Sequence, residues 1–325
     1  MAVLMAVLLA VLVAVLVVVV ICCHADTVGR IGNRLLTIDN RVDPAYAPRH
    51  RRPTSRSGQS VAEGLAGYAG ASFAFMSEPT LEIAGHRATI RLQRPEKRNR
   101  IEPSDLVRLM ELCDQIDADL DLRVAVLTSS GPSFCSGFHL GALAEGEKLE
   151  VSFGDVCDRI QSLRVPILGR IAGNIHGGGT DLALSCDIRI AAAGIHLLMP
   201  AGKIGVHYYA TGLRRFVEQI GPAATKRIFI TALPFEADEL LRIGYLDEVV
   251  KVEELDHRID TIAGAMESLA PLSVTGMKAS INELAVDRGA LRSVDARAKA
   301  NFHTNDHREA MQALRDKRPP NFTGS

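Results

Sequence analysis

Three glycines and an aspartate, Gly177, Gly178, Gly179 and Asp181, sit close together in AGNIHGGGTDLALSCDIRIA, Ala172 to Ala191. The apolar run before them, Pro166 to Ile171, has the length of a buried strand, and Thr180 to Ser185 reads as a small-residue helix. Strand, glycine turn and helix N-terminus together expose backbone N–H groups that lack internal partners, and the helix dipole adds partial positive charge there. Glycine lets a ligand approach the backbone closely because no Cβ intervenes. Asp181 lies about one helical turn beyond Gly178, so its carboxylate reaches the same volume. Amide donors beside a carboxylate suit proton abstraction next to a carbonyl, with the resulting oxyanion held by the amides. An ordinary strand–helix turn with a solvated first-turn aspartate has the same signature, so the rest of the chain must decide.

The elements that must position these residues follow from periodicity. Leu81 to Ile83 and Ala88 to Leu92, separated by Gly85-His86, alternate like a short hairpin. LQRPEKRNRI, Leu92 to Ile101, is a basic loop. Pro103 opens a helix whose stripe is Leu106, Leu109, Met110, Cys113, Ile116 and Leu120. Arg123 to Thr128 reads as a buried strand, followed by the loop SSGPSFCSGFHLGAL. Phe153, Val156, Ile160 and Leu163 mark a second amphipathic helix. Alternating strand and helix predicts an α/β fold with crossover connections.

Composition narrows the function classes. The 325 residues are ample for a core; 47% are hydrophobic and 23% charged, as in ordinary globular chains. The formal net charge of −1 argues against nucleic acid or an acidic membrane surface as partner. The cysteines, Cys22, Cys23, Cys113, Cys135, Cys157 and Cys186, form no CxxC pair, so neither a metal site nor a disulfide framework is expected. Cys135 and Cys186 read as small buried apolar residues, and a reducing cytoplasmic location fits best.

Residues 1–23 stand apart: they are uninterrupted Ala, Val, Leu and similar residues, longer than the roughly 18 needed to span a bilayer. Residues 24–75, rich in Arg, Pro and Ser from Arg41 to Ser60, are expected to be a disordered linker. Two readings stand: a membrane anchor that leaves the domain facing the cytoplasm, or an over-long start to a protein that begins at Met76. The repetitive, Lys-free composition favours the second. On it, contact with a membrane requires that 1–23 be genuinely translated and retained.

Several segments together carry a resemblance. RPEKRN (Arg94 to Asn99), PSFCSGFHL (Pro132 to Leu140), GNIHGGGTDLALSCDIRIA, IGYLDEVV (Ile243 to Val250) and NDHREAMQALRDKRPPNFTG (Asn305 to Gly324) resemble segments of the crotonase superfamily, the enoyl-CoA hydratase/isomerase family, in order and at plausible spacing. The resemblance spans Met76 to Ser325. It implies a crotonase-like spiral of repeated ββα units over 76–265, binding acyl-CoA, and a C-terminal helical region over 266–325. That region would mediate assembly into a homotrimer or a pair of trimers. It implies no cofactor, the CoA thioester being the substrate. By position, the oxyanion hole is expected from the N–H groups of Ser136 and Gly178, with Asp181 as proton carrier where hydratases carry the first of two catalytic glutamates. Lys97, Arg98, Phe138 and Gly177 are expected to contact the ligand.

Departures from the family pattern shape the expected reaction. The place of the second hydratase glutamate, fourteen residues beyond Asp187, holds Ala201. Tyr209 stands where the dienoyl isomerase branch has a further aspartate, and His139 replaces a usual aspartate. One carboxylate does not readily both hold water and protonate carbon, whereas a single base can move a proton between carbons. Isomerase-type or other non-hydratase chemistry on a thioester enolate is therefore expected, with hydrolysis and decarboxylation also open. His139, His176, His207, Tyr208 and Tyr209 are candidate auxiliaries, each with a packing or surface role as the plain alternative. A non-catalytic acyl-CoA binder and a hydratase with an unusual second acid are the alternatives. Asp187 reads as a structural anchor at a strand start.

Overall fold

The computed structural model of the chain describes residues 77–141 and 149–325. The expectations for 1–75, and the start at Met76, lie outside the described residues. The chain divides into two units, 1–61 and 62–325, and every described element belongs to the second.

The main sheet has six strands in the order β1 (Thr80–Ala84), β2 (Arg87–Leu92), β3 (Val124–Ser129), β5 (Ile167–Ile171), β7 (Ile188–Ala192), β10 (Glu248–Val250). The smaller sheet runs β4 (Ser133–Cys135), β6 (Asn174–His176), β8 (His196–Leu198), β9 (Phe235–Glu236). β1 and β2 form the expected antiparallel hairpin; β2, β3, β5, β7 and β10 are parallel. From β3 to β8 each turn of the chain places one strand in the large sheet and the next in the small sheet, with α2 and α3 between turns, whereas β1 and β2 both lie in the large sheet. That is the crossover spiral expected from the alternation. β3, VAVLTS, is buried throughout because it is central in the sheet and covered on both faces.

The helices are α1 (Pro103–Ala118), α2 (Phe153–Gln161), α3 (Gly179–Leu184), α4 (Ala210–Thr231), α5 (Ala237–Arg242), α6 (Leu255–Glu267), α7 (Pro271–Val286), α8 (Leu291–Asn301) and α9 (Asn305–Asp316). The α1 stripe packs as expected through Leu106, Leu109, Cys113 and Ile116, all buried, but Leu120 does not join it. The helix ends at Ala118, and Leu120, beyond the last turn, is 75% exposed. The α2 stripe is buried from Phe153 to Leu163, with Ser152 accepting from the Asp155 amide as N-cap. α4 is broken at Gly221, whose φ of +75° no L side chain adopts readily, immediately before Pro222.

Two sequence motifs act as scaffolding. In RPEKRN, buried Arg94 pairs with buried Asp105, and Asn99 donates to the carbonyls of Ser130 and Ser133, both at 2.7 Å. Asp187 accepts from the Ile167 amide at 2.8 Å and from Lys278 at 2.7 Å, joining β5 to α7, as its reading as an anchor requires. Among the described residues no helix is long and apolar enough to cross a membrane.

Candidate active site

A cavity of about 260 Å³ opens between the loop after β4, the turn after β6 and the segment leading into α4. Its walls are mostly apolar: Phe138, Leu140, Phe153, Met199, Pro200, Ala201, Ile204 and Val206. Its polar edge comprises Ser136, Gly137, Gly177, Gly178, His207, Tyr208 and Tyr209. Among the described residues no carboxylate lines it.

Backbone geometry at this edge differs by two residues from the expected donor pair. The Ser136 N–H is engaged, donating to the Arg98 carbonyl at 3.0 Å, so it is not available to a ligand. Phe138 forms a parallel bridge with Ile101, in which Ile101 donates to Gly137 and His139 donates to Ile101, both at 2.9 Å. Alternation along an extended segment turns the Phe138 N–H away from Ile101. It has no acceptor among the described residues, and neither has the Gly178 N–H. The two donors are close: a Cβ placed on Gly178 would stand 3.4 Å from the Phe138 nitrogen, and one on Gly137 would stand 2.6 Å from the Gly178 nitrogen. Gly137 is required twice over, by that approach and by its φ of +92°. α3 has only six residues, so the local amides matter here more than a macrodipole.

Asp181 does not line the cavity. Its side chain is 0% exposed and is held from two sides: Arg215 Nη1 donates to Oδ1 at 2.6 Å, and the Tyr209 hydroxyl donates to Oδ2 in a short contact. Arg215, itself 1% exposed, also pairs with Asp158 and donates from Nε to Gln161 at 2.9 Å. Burial acts to lower the Arg215 pKa, but the Asp181 charge, with Asp158 behind it, outweighs this and raises it, so the guanidinium stays charged. Tyr209 therefore stands between Asp181 and the cavity. Its ring fits between two glycines: a Cβ on Gly154 would lie 3.0 Å from it and one on Gly212 2.8 Å. Burial, followed by Cys157, Tyr208 and Asp181, pushes the Tyr209 phenol far above its ordinary range. Tyr208 stacks on Tyr209 with ring centroids 4.5 Å apart at 24°, and edge-on to Phe229 at 5.1 Å.

The remaining candidates are dispersed. His139 is drawn away to Glu102, 2.6 Å from Nδ1 to Oε2, and does not line the cavity. His176 pairs with His196 across β6 and β8, Nε2 to Nε2 at 3.2 Å; burial, then His196 and Arg98, lowers its pKa. His207 is exposed at the cavity mouth with Nδ1 2.8 Å from the Tyr208 carbonyl. Lys97 and Arg98 are exposed at the outer edge of the RPEKRN turn, Lys97 3.8 Å from Glu102. The Cys135 and Cys186 thiols, fully buried, are pushed up to about 12 by that burial and are inert packing. Among the described residues no cluster of three or more His, Cys, Asp or Glu could hold a metal.

Arg215 and Asp158 are the residues that sequence reasoning missed. One signal exists for Arg215: it falls on the stripe Gly212, Arg215, Phe216 of α4, where an arginine on the inward face requires a buried partner.

Comparison with known proteins agrees with this architecture. The chain is 30% identical over 247 residues to a short-chain-enoyl-CoA hydratase of Clostridium acetobutylicum, covering 73% of this chain and 94% of that protein. It is 29% identical over 254 residues to an (E)-benzylidenesuccinyl-CoA hydratase of Thauera aromatica, covering 76% and 99%. The crystal structure of an enoyl-CoA hydratase from Bacillus anthracis superposes with a TM-score of 0.72 at 28% identity, over 76% of this chain and all of that one. The sequence profile described as Enoyl-CoA hydratase/isomerase matches residues 82–325. With that match over most of its length and the shared spiral of two sheets, the chain belongs to the enoyl-CoA hydratase/isomerase family of the crotonase superfamily.

Proposed function

We propose that the protein processes acyl-CoA thioesters through an enolate, shifting a double bond by proton transfer between carbons. The observation that supports this is the convergence of two amides without an acceptor among the described residues, Phe138 and Gly178, on a cavity whose acid–base edge is Tyr209 backed by Asp181. The amides would hold the thioester oxygen and strengthen their hold as it gains charge; one such donor contributes about 2.7–4 kcal/mol to the transition state. Asp181 acts through Tyr209. A proton leaves the substrate carbon for the Tyr209 oxygen while the Tyr209 O–H proton passes to Asp181 Oδ2, and the C–H electron pair moves onto the thioester as enolate. The reverse transfer, from Asp181 to Tyr209 and from Tyr209 to a second carbon, completes the shift with no net change in atoms or charge. As Asp181 takes the proton, Arg215 keeps a carboxylate partner in Asp158. With Ala201 on the cavity wall, this set offers one proton carrier, which suits migration of a double bond.

The names of the relatives favour a second reading, hydration of a 2-enoyl thioester with the Tyr209–Asp181 pair deprotonating water. The exposed apolar side chains of the C-terminal helices, Leu272, Met277, Ile281, Leu291 and Leu314, support association of copies through this region. The decisive experiment incubates the protein with 2-enoyl-, 3-enoyl- and 3-hydroxyacyl-CoA. Hydration adds the mass of one water, whereas migration leaves mass unchanged and alters the ultraviolet absorption of the conjugated thioester. Asp181→Asn and Tyr209→Phe should each lower turnover by about 10² or more while thioester binding persists. Turnover at the wild-type rate in both variants would refute the reading.

A further inference from the structure

The buried Tyr208 hydroxyl has no part in the proton transfer just described. It is shielded from solvent and finds no partner at hydrogen-bond geometry among the described residues, although buried hydroxyls are nearly always paired. Stacking places it beside Tyr209, and the same neighbours, Asp181 and Cys157, act on both phenols. The two phenols are near enough to act on one another: Tyr209 is among the groups that influence the Tyr208 hydroxyl.

We infer that Tyr208 is a positioning residue for proton transfer, whose hydroxyl gains an acceptor on the Tyr209 oxygen as that oxygen loses its own proton. The inference rests on the proposed Tyr209–Asp181 relay. A phenol oxygen is too weak a base to take a proton before releasing one, so its O–H must run ahead and the Tyr209 oxygen is phenolate-like at the transition state. A neighbouring donor without a partner in the resting site is then satisfied only at that moment. Interactions made only in the transition state raise turnover and leave substrate binding unchanged. Burial, then the Asp181 charge, raises the Tyr208 phenol well above its ordinary range, which keeps it protonated and hence a donor. Packing fixes the Tyr208 ring in place. It stacks on Tyr209, meets Phe229 edge-on, and lies so close to Gly212 that a Cβ there would stand 2.6 Å away.

The test is Tyr208→Phe, which removes one oxygen and keeps the stack. On the thioester that wild type turns over, kcat should fall about 10- to 100-fold with KM held within about twofold. Thermal denaturation of the same variant should give an equal or higher Tm, because an unpaired buried hydroxyl has been removed. A lowered Tm would mean that the hydroxyl is an ordinary structural hydrogen bond and would overturn the inference. A wild-type kcat, or a raised KM with kcat retained, would overturn it as well while leaving the acyl-CoA reading intact. If wild type turned over none of the thioesters, the proposed function would fall, and the inference with it.

Discussion

Removing Arg215 tests whether the buried charges around Asp181 hold the site together. Arg215→Met keeps most of the apolar stem and deletes the guanidinium. Asp181, 0% exposed, would retain only the Tyr209 hydroxyl among its two side-chain donors, whereas Asp158, 38% exposed, can turn to water. Breaking a buried pair by removing one partner costs about 3–5 kcal/mol, because the remaining charge is uncompensated. At roughly 2–4 °C per kcal/mol for a domain of this size, Tm should drop by about 6–20 °C. Asp181→Asn combined with Arg215→Met leaves no stranded charge, so the double variant should recover more than half of the loss. The four proteins of this cycle would be unfolded in urea at one protein concentration, since association shifts apparent stability. A loss below about 1 kcal/mol for Arg215→Met would place the pair with exposed ion pairs. Additive effects in the double variant would refute the coupling.

Gly137→Ala should abolish turnover, since the residue needs φ of +92° and its new methyl would press on the Gly178 nitrogen; folded content by circular dichroism should fall far less than activity. The C-terminal tail should loosen in acid. The hydrogen bond from Arg318, then that from the Asn321 amide, lowers the Glu309 carboxyl from 4.5 to about 2, so its contribution is complete above about 4.5 and fades as pH falls toward about 2. Hydrogen exchange of the tail should accelerate over that window in wild type, and Glu309→Gln should already exchange fast at neutral pH; equal protection in both would refute it.

Some of the molecule is local in origin and so was legible along the chain. The Gly85-His86 hairpin, the α1 and α2 stripes and the buried β3 strand follow from side-chain period and turn chemistry. The glycine turn before Asp181 follows in the same way, and each was placed nearly correctly from the sequence. The role of Asp187 was legible too, because a carboxylate at a strand start commonly caps neighbouring amides.

What tertiary structure alone decided is the company each polar group keeps. Whether the amide of Ser136 or that of Phe138 is free depends on which one faces Arg98 and Ile101, residues 38 and 37 positions earlier that the spiral brings alongside. Composition and period carry no information about that choice, since neighbouring amides along an extended segment point opposite ways. Asp181 was identified from its spacing to the glycines, yet its burial behind Tyr209 is set by Arg215, 34 residues on, and by the glycine slot of Gly154 and Gly212. His139, similarly placed in sequence, is drawn out of the cavity by Glu102. The chain by itself determined the fold and nominated Asp181, the glycine turn and the two tyrosines as candidates, but not Arg215 or Asp158. Long-range packing determined which of them meet, because the hydrogen bonds and ion pairs that orient a polar group in a buried site come mostly from residues distant in sequence.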